Sequence, residues 1–529
     1  MNNSLLHVCL LLWLFISAPL QNVAQPNILL IIADDLGVDF SNGYQDNQLK
    51  PFTPNLDALQ RSGVTFKNAW AAPVCTPTRA AIMSGKYGSK TGVLGLPGNL
   101  DPENTSIFQQ LDSISNNQYA KAVIGKWHIS FPQDLEHPAQ LGIDHYSGNF
   151  SGGIPDYYDW TKIINGVSMP TTTYATTETT SDAINWINEQ DLSWMMWLAY
   201  NAPHTPFQLP PEDLFSINNT NSNRRTFVAM IEAMDTEIGR LLSNIPADEL
   251  ENTVIIYVGD NGTSRQVSQN FPADHGKSTP YQGGVHVPFI VSGAGVSRVN
   301  EWEDALVHVT DIYATIMELV GAELPGGIYN SLSFDHLLKN EAGPSRAYNY
   351  SEILVNNGHN WCIRDSRHKL IDFADGHQEF YDLLEDSLEL NNIIEILPPE
   401  LILLKAQLEA EAVTIQTGWS CQDFIKNGDE ENIDCGGSLC APCVTSISEA
   451  ALASIEISPN PARNKLVIKS KDLDIDNIKI VDISGTPLIT KNNLATQNHE
   501  LNISTLTSGI YFLEIECKGQ KLSHKFIKN

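Results

Sequence analysis

Four short apolar runs constrain this chain more than anything else in it, because each ends abruptly in polar or ionisable side chains. Asn27-Ile28-Leu29-Leu30-Ile31-Ile32-Ala33 runs into Asp34-Asp35, and Lys121-Ala122-Val123-Ile124 runs into Gly125-Lys126-Trp127-His128. Trp194-Met195-Met196-Trp197-Leu198-Ala199-Tyr200 leads to Asn201-Ala202-Pro203-His204, and Thr253-Val254-Ile255-Ile256-Tyr257-Val258 stops at Gly259-Asp260-Asn261-Gly262. Uninterrupted apolar runs of this length suit strands buried on both faces, as in a parallel sheet covered by helices. The spacing predicts such a helix over Arg225–Leu242, where Phe227, Met230, Ile231, Met234, Ile238 and Leu241 recur every three or four residues, and another over Val307–Val320. The expected class is therefore α/β. In open α/β sheets ligands bind at the carboxyl ends of the strands, so four separate segments point at one site.

A chain of 529 residues exceeds one ordinary domain. Residues 5–16 form an apolar run too short to span a membrane but placed where a secretory signal would lie, so 1–25 is read as a signal peptide. Residues 26–340 form the expected catalytic α/β domain. Over 341–415 shorter segments, around Arg364–Ile371 and Glu379–Leu383, predict a small antiparallel sheet followed by a helix near Pro399–Ala412. Residues 416–446 hold Cys421, Cys435, Cys440 and Cys443. In an exported chain these suit two disulfides better than zinc, with three pairings open. Over 447–529 period-two alternation at Lys465–Ile468, Ile478–Val481 and Ile510–Ile515 predicts a β-sandwich. No other apolar stretch is long enough for a membrane helix. The net charge of −30 excludes a nucleic-acid binder and requires that any anionic polymer be captured by a local basic pocket.

Ala72-Pro73-Val74-Cys75-Thr76-Pro77-Thr78-Arg79-Ala80-Ala81-Ile82-Met83 reads as the start of a helix with Cys75 at its N-terminus. Free backbone N–H groups there favour anions and are expected to lower the thiol pKa. The bland alternative is a buried structural cysteine. Asp34, Asp35, Asp260 and Asn261 are hard oxygen donors from two strand ends, suiting Ca²⁺ or Mg²⁺ better than Zn²⁺. Arg79, Lys126, His128, His204 and Lys277 add cationic or proton-donating groups of the kind that hold an oxyanion ester and protonate its leaving oxygen.

These residues carry a family resemblance. Cys75-Thr76-Pro77-Thr78-Arg79 resembles the Cys-x-Pro-Ser/Thr-Arg motif of type I, formylglycine-dependent sulfatases. The likeness runs from about Pro26 to Asn392, through Ile31–Gly37, Gly125–His128, Pro203–Pro206, Gly259–Gly262, Gly276-Lys277 and Gly283–Pro288. It implies an alkaline-phosphatase-like sandwich with a large mixed, mostly parallel sheet flanked by helices. It also implies that a formylglycine-generating or anaerobic sulfatase-maturing enzyme converts Cys75 to formylglycine, whose hydrate is the nucleophile. Asp34, Asp35, Asp260, Asn261 and the modified Cys75 would hold Ca²⁺, with Mg²⁺ the lesser choice. Arg79, Lys126, His128, His204 and Lys277 would bind the sulfate. Ser458-Pro459-Asn460-Pro461-Ala462 and Ser508-Gly509-Ile510-Tyr511-Phe512 resemble the sorting domain of the type IX secretion system, which would carry the chain to the cell surface or medium, with the periplasm as the other destination.

The expected function is hydrolysis of sulfate esters on a sulfated, algal cell-wall type polysaccharide or its oligosaccharides, with ulvan preferred. The loops Tyr146–Thr180 and Asn218–Asn223 are expected to select the substrate. The competing enzyme reading is a phosphatase or phosphodiesterase of the alkaline-phosphatase superfamily, against which the Asp/Asn donor set argues. The other class is an inactive surface glycan-binding protein. Gln118, Lys121, Ser84, Gln282 and His286 depart from the family pattern, and of these His286 is expected to alter a nearby pocket.

Overall fold

The computed structural model describes residues 25–418, apart from 46–48, 325–326 and 357, and most of 455–528, apart from 471–473, 482–486, 493, 495, 508 and 518–519. The expected signal peptide, almost all of it, and the cysteine cluster lie outside the described residues. The chain divides into two compact units, Met1–Ser420 and Cys421–Asn529.

In the first unit ten strands form one sheet: β1 Asn27–Ala33, β2 Gly63–Trp70, β3 Tyr119–Lys126, β4 His145–Asn149, β5 Trp160–Ile164, β6 Val167–Thr171, β7 Ser193–Ala199, β8 Thr253–Gly259, β9 Phe289–Gly293 and β10 Glu301–His308. Their order is β10-β2-β9-β8-β1-β7-β3-β4-β5-β6. The block β8-β1-β7-β3-β4 is parallel throughout, and β9 lies antiparallel between β8 and β2. This is the mixed, mostly parallel sheet expected.

Every residue of β1 is buried, and its side chains alternate between two cores. Ile28, Leu30 and Ile32 meet Ala80, Ile82 and Met83 of the helix Cys75–Ser84, together with the helices Ile107–Ser115 and Asp311–Leu319. Leu29 and Ile31 face Phe227, Met230, Met234 and Ile238 of the helix Asn223–Asn244 on the other side. Two-sided burial is what selects a continuous apolar run, each large side chain contributing roughly 1.5–3 kcal/mol. The run breaks where the sheet ends and charged groups can be gathered.

The register then sets the site. Ala33 lies opposite Gly259, which brings Asp34 and Asp35 beside Asp260 and Asn261. Ile32 lies opposite Ala199, and Ala199 opposite Gly125, so Asn201 and Lys126 arrive at the same edge. Gly125 is required there: its φ is 104°, and a Cβ would stand 1.9 Å from the carbonyl oxygen of Ala199.

One expectation fails locally. The apolar run read as a helix over Val307–Val320 is split, because Val307 and His308 pair with Ala69 and Trp70 as the end of β10. The helix begins only at Asp311, whose carboxylate accepts the backbone N–H of His308 at 2.8 Å.

Strands β11 Asn349–Val355, β12 Gly358–Arg364, β13 His368–Asp372 and β14 Gln378–Asp382 form an antiparallel sheet in that order. Tyr350, Ile363, Leu370 and Phe380 from it pack on Leu408 and Ala412 of the helix Pro399–Thr417. In the second unit, a three-stranded and a four-stranded antiparallel sheet share a core that includes Leu466, Ile468, Ile478, Ile480, Leu501, Leu513 and Phe526. The alternating segments thus form the expected sandwich.

Candidate active site

Cys75 is the first residue of its helix and is 1% exposed. Val74 before it offers no side-chain cap, so the first N–H groups of the helix stay free for an anion. The thiol is a free cysteine whose Sγ lies 3.2 Å from Nδ1 of His128, and the same nitrogen is 3.2 Å from the Thr76 hydroxyl. The expected lowering of the thiol pKa is not what the structure shows. Burial pushes Cys75 up, and the attraction of Lys126 and Lys277 does not offset it. Desolvation of a wholly buried thiol outweighs the partial charge of a helix end.

The three carboxylates are each met by one cation. Lys126 Nζ is 2.6 Å from Asp34 Oδ2, with both side chains fully buried. Arg79 sends Nε and Nη2 to Asp260 Oδ2 at 3.0 and 2.8 Å and Nη1 to the Lys126 carbonyl at 2.8 Å. Lys277 binds Asp35 Oδ1, which also accepts from Asn261 Nδ2 at 2.9 Å. Asp35 itself, at φ 66°, donates its N–H to Asp260 Oδ1 at 3.0 Å. Burial opposes the charge on Asp35, but Lys277, His204 and Lys126 hold it well below the usual carboxylate range. Burial and the neighbouring Asp34 push Asp260 up. A cation among these carboxylates would remove that repulsion.

Among the four oxygen-donor residues, two buried acceptors remain without any donor: Oδ1 of Asp34 and Oδ1 of Asn261. Orphaned buried oxygens cost about 1–3 kcal/mol each unless something satisfies them. Asp34, Cys75 and Asp260 bring one ligand atom each within 4.8 Å of one another, as do Asp34, Asp35 and His204. Hard oxygen donors gathered in a closed pocket fit Ca²⁺ or Mg²⁺. All the oxygen donors named from the sequence meet there.

The histidines close the other side. The pKa of half-buried His128 falls to about 2, first through desolvation and then through Lys126 and Arg79, so the ring is neutral. His204 Nδ1 lies 2.7 Å from the Thr205 carbonyl, and its Nε2 lies 3.7 Å from Asp35 Oδ2. Arg79 departs from its expected place: fully buried, it spends its donors on Asp260 and Lys126.

Several participants escaped the sequence reading. Thr76 shares the His128 nitrogen. Gly152 and Gly153 lie against the two rings, since a Cβ on Gly152 would stand 2.5 Å from His128 Nε2 and one on Gly153 3.0 Å from His204 Cε1. Asn149 Oδ1 accepts from Asn201 at 2.8 Å and so ties this segment to the end of β7. The available signal was the Gly-Gly pair inside the loop region expected to select substrate.

The family model described as Sulfatase matches residues 26–322. The model N-sulphoglucosamine sulphohydrolase, C-terminal, matches 275–416, and Secretion system C-terminal sorting domain matches 456–529. Over 326 residues the chain is 27% identical to arylsulfatase J of Mus musculus, covering 57% of this chain and 53% of that protein. It is 24% identical over 485 residues to N-acetylglucosamine-6-O-sulfatase of Bacteroides thetaiotaomicron, covering 70% and 83%. The chain thus spans about half the length of the first relative and more of the second. Among solved structures it is similar to Ps i-CgsB in complex with k-i-k-neocarrahexaose, at TM-score 0.65 and 27% identity over 74% of this chain and 93% of that one. The sorting-domain match implies export to the surface or medium. Among the described residues no helix is long and apolar enough to cross a membrane.

Proposed function

The chain belongs to the sulfatase family, and from that premise we propose that it hydrolyses sulfate esters on a sulfated polysaccharide or its oligosaccharides. Cys75, converted to formylglycine by a maturing enzyme, is the nucleophilic position, and Ca²⁺ is the metal. The observation that carries the metal assignment is the pair of orphaned oxygens, Asp34 Oδ1 and Asn261 Oδ1, beside Asp35 and Asp260. The substrate class is supported by the name of one relative, N-acetylglucosamine-6-O-sulfatase, and by the k-i-k-neocarrahexaose bound to the similar solved structure. Ulvan is the first polymer to try.

The contacts of Cys75 Sγ stand in for those of a formylglycine hydroxyl. A hydrated formylglycine supplies two hydroxyls on one carbon, one to attack sulfur and one to release sulfate afterwards, which neither a thiol nor a serine provides. A bound Ca²⁺, which Asp34, Asp35, Asp260 and Asn261 would hold, would supply positive charge and Lewis acidity to the site. Lys126, Lys277 and Arg79 fix Asp34, Asp35 and Asp260 so that these do not reorganise during reaction. Neutral His128, 3.2 Å from the Cys75 position, accepts the proton as sulfate is expelled. His204, with Nδ1 fixed on the Thr205 carbonyl, keeps Nε2 at the site edge beside Asp35 and is the group placed to pass a proton to the departing alcohol.

The test is sulfate release from a panel of defined sulfated oligosaccharides, led by ulvan fragments, together with an aryl sulfate and an aryl phosphate. The enzyme used is one whose Cys75 peptide shows the aldehyde by mass spectrometry. Release from the sulfated substrates is expected. Faster turnover of the phosphate than of the sulfate would overturn the proposal.

A further inference from the structure

We propose that a groove away from the active site is a second, non-catalytic binding site for the sulfated glycan, holding the polymer on a protein whose overall charge repels it; this rests on the substrate class proposed above. The groove has a volume of about 540 Å³ and is lined by Asn42, Gly43 and Lys50–Phe52, by the helix Pro54–Ser62, and by Asn300 and Trp302 at the start of β10. That size matches sites that hold a few sugar units. None of its lining residues belongs to the active site. Trp302 pairs with Thr65 in the first half of β2, whereas the active site gathers at the far ends of the strands.

Its chemistry is that of an anionic-sugar site. Lys50 and Arg61 both line it, both are exposed, and neither has an ion-pair or hydrogen-bond partner among the described residues. Two unpaired cations in one groove of a chain carrying −30 are a local exception. The one acid on the wall, Asp57, already accepts from Asn42 at 3.2 Å and Thr53 at 3.2 Å. Phe52 is 65% exposed and Trp302 partly so, which offers apolar faces for sugar rings between the charged groups. Trp302 is held edge-on by Tyr44, with ring centroids 5.1 Å apart. On its other side lies an adjoining hollow of about 350 Å³ formed with Tyr44, Lys67 and His286. His286 thereby finds its role: its ring, kept neutral by burial with a pKa near 4, bonds the Lys67 carbonyl at 2.7 Å and packs on Tyr44. Two cations against the one carboxylate of Asp57, with aromatic faces between them, select a sulfated rather than a neutral glycan.

The experiment uses the full chain and two probes, dextran sulfate and unsulfated dextran. The double variant Lys50→Gln/Arg61→Gln and the single variant Trp302→Ala are compared with the parent, each also carrying Cys75→Ala for the binding measurement. Dextran sulfate affinity is expected to fall about tenfold in the double variant and several-fold in Trp302→Ala, with dextran at background throughout. In the active background, kcat and KM on a small aryl sulfate are expected to stay unchanged, because neither cation touches the active site. Undiminished dextran sulfate affinity in the double variant, or equal binding of dextran, would overturn the proposal. The double variant replaces exposed side chains and decides the matter even if Trp302→Ala fails to fold. Loss of dextran sulfate binding in a protein that turns over no sulfate ester would reject the proposed function while leaving the groove assignment standing.

Discussion

Gly152→Ala offers a quantitative test of how the histidines are placed. Gly152 is not in the left-handed region, so alanine adopts its backbone without strain and the effect is purely one of space. The new methyl would stand 2.5 Å from both Cε1 and Nε2 of His128 and 3.2 Å from Nδ1. Ordinary contact requires roughly 3.5 Å, so the ring must retreat by about 1 Å. His128 cannot do so freely, because its Nδ1 sits 3.2 Å from Cys75 Sγ and from Thr76 Oγ1. A misplacement of about 1 Å at a reacting group costs on the order of 100-fold in rate, or about 2.7 kcal/mol. Gly153→Ala is the graded control, since its methyl would stand 3.0 and 3.1 Å from His204 Cε1 and Nδ1. There a shift of about 0.4 Å suffices, and the loss should be about tenfold or less. Steady-state kinetics on an aryl sulfate, with metal content and Tm recorded, should show kcat falling in Gly152→Ala while KM changes little. Wild-type kcat in Gly152→Ala would show that the loop gives way and the ring does not. An equal loss in both variants would break the geometric ranking.

Other outcomes follow from the same contacts. Cys75→Ala should abolish sulfate release while leaving Ca²⁺ detectable by calorimetry, and measurable turnover by this variant would remove Cys75 from the nucleophile's position. Asn261→Ala deletes one orphaned oxygen and should raise the half-saturating Ca²⁺ concentration at least about tenfold, with activity restored by excess Ca²⁺. Arg79→Lys breaks a buried forked pair to Asp260 and should cost about 3–5 kcal/mol of stability, read as a lower Tm, together with most of kcat. His308 is 1% exposed, and burial followed by Arg346 holds its pKa far below that of a free imidazole. The unfolded chain alone therefore takes up this proton below roughly pH 6.5, and stability falls by up to about 1.4 kcal/mol per pH unit on acidification. His308→Gln should reduce the slope of stability against pH between about 6.5 and 5 by up to one proton, and an unchanged slope would refute the assignment.

What the sequence made legible, and what it did not, divides along a physical line. Continuous apolar runs report two-sided burial directly, and β1 spans the residues read for it, Asn27–Ala33. The ends of those runs report which groups reach the site edge. Register does the rest, so Asp34, Asp35, Lys126, Asp260 and Asn261 meet as expected. Val307–Val320 was illegible as two elements because an apolar run carries no mark where a strand hands over to a helix. The contacts of Gly152 and Gly153 with the two rings are long-range distances that no spacing encodes.

The assignment of the cations needed the structure most. From the sequence they formed one undivided anion clamp, but each finds its own carboxylate: Arg79 with Asp260, Lys126 with Asp34 and Lys277 with Asp35. Taken alone, these three pairs sum to zero, and His128 is neutral beside them. Such a shell neither attracts nor repels a sulfate ester on its own account. The attraction then comes chiefly from the ion that the orphaned oxygens of Asp34 and Asn261 are placed to hold, because a divalent cation adds two positive charges to these balanced pairs. On a chain of net charge −30, removing that ion should therefore weaken capture of the anionic ester itself as well as its chemistry, raising KM and lowering kcat together.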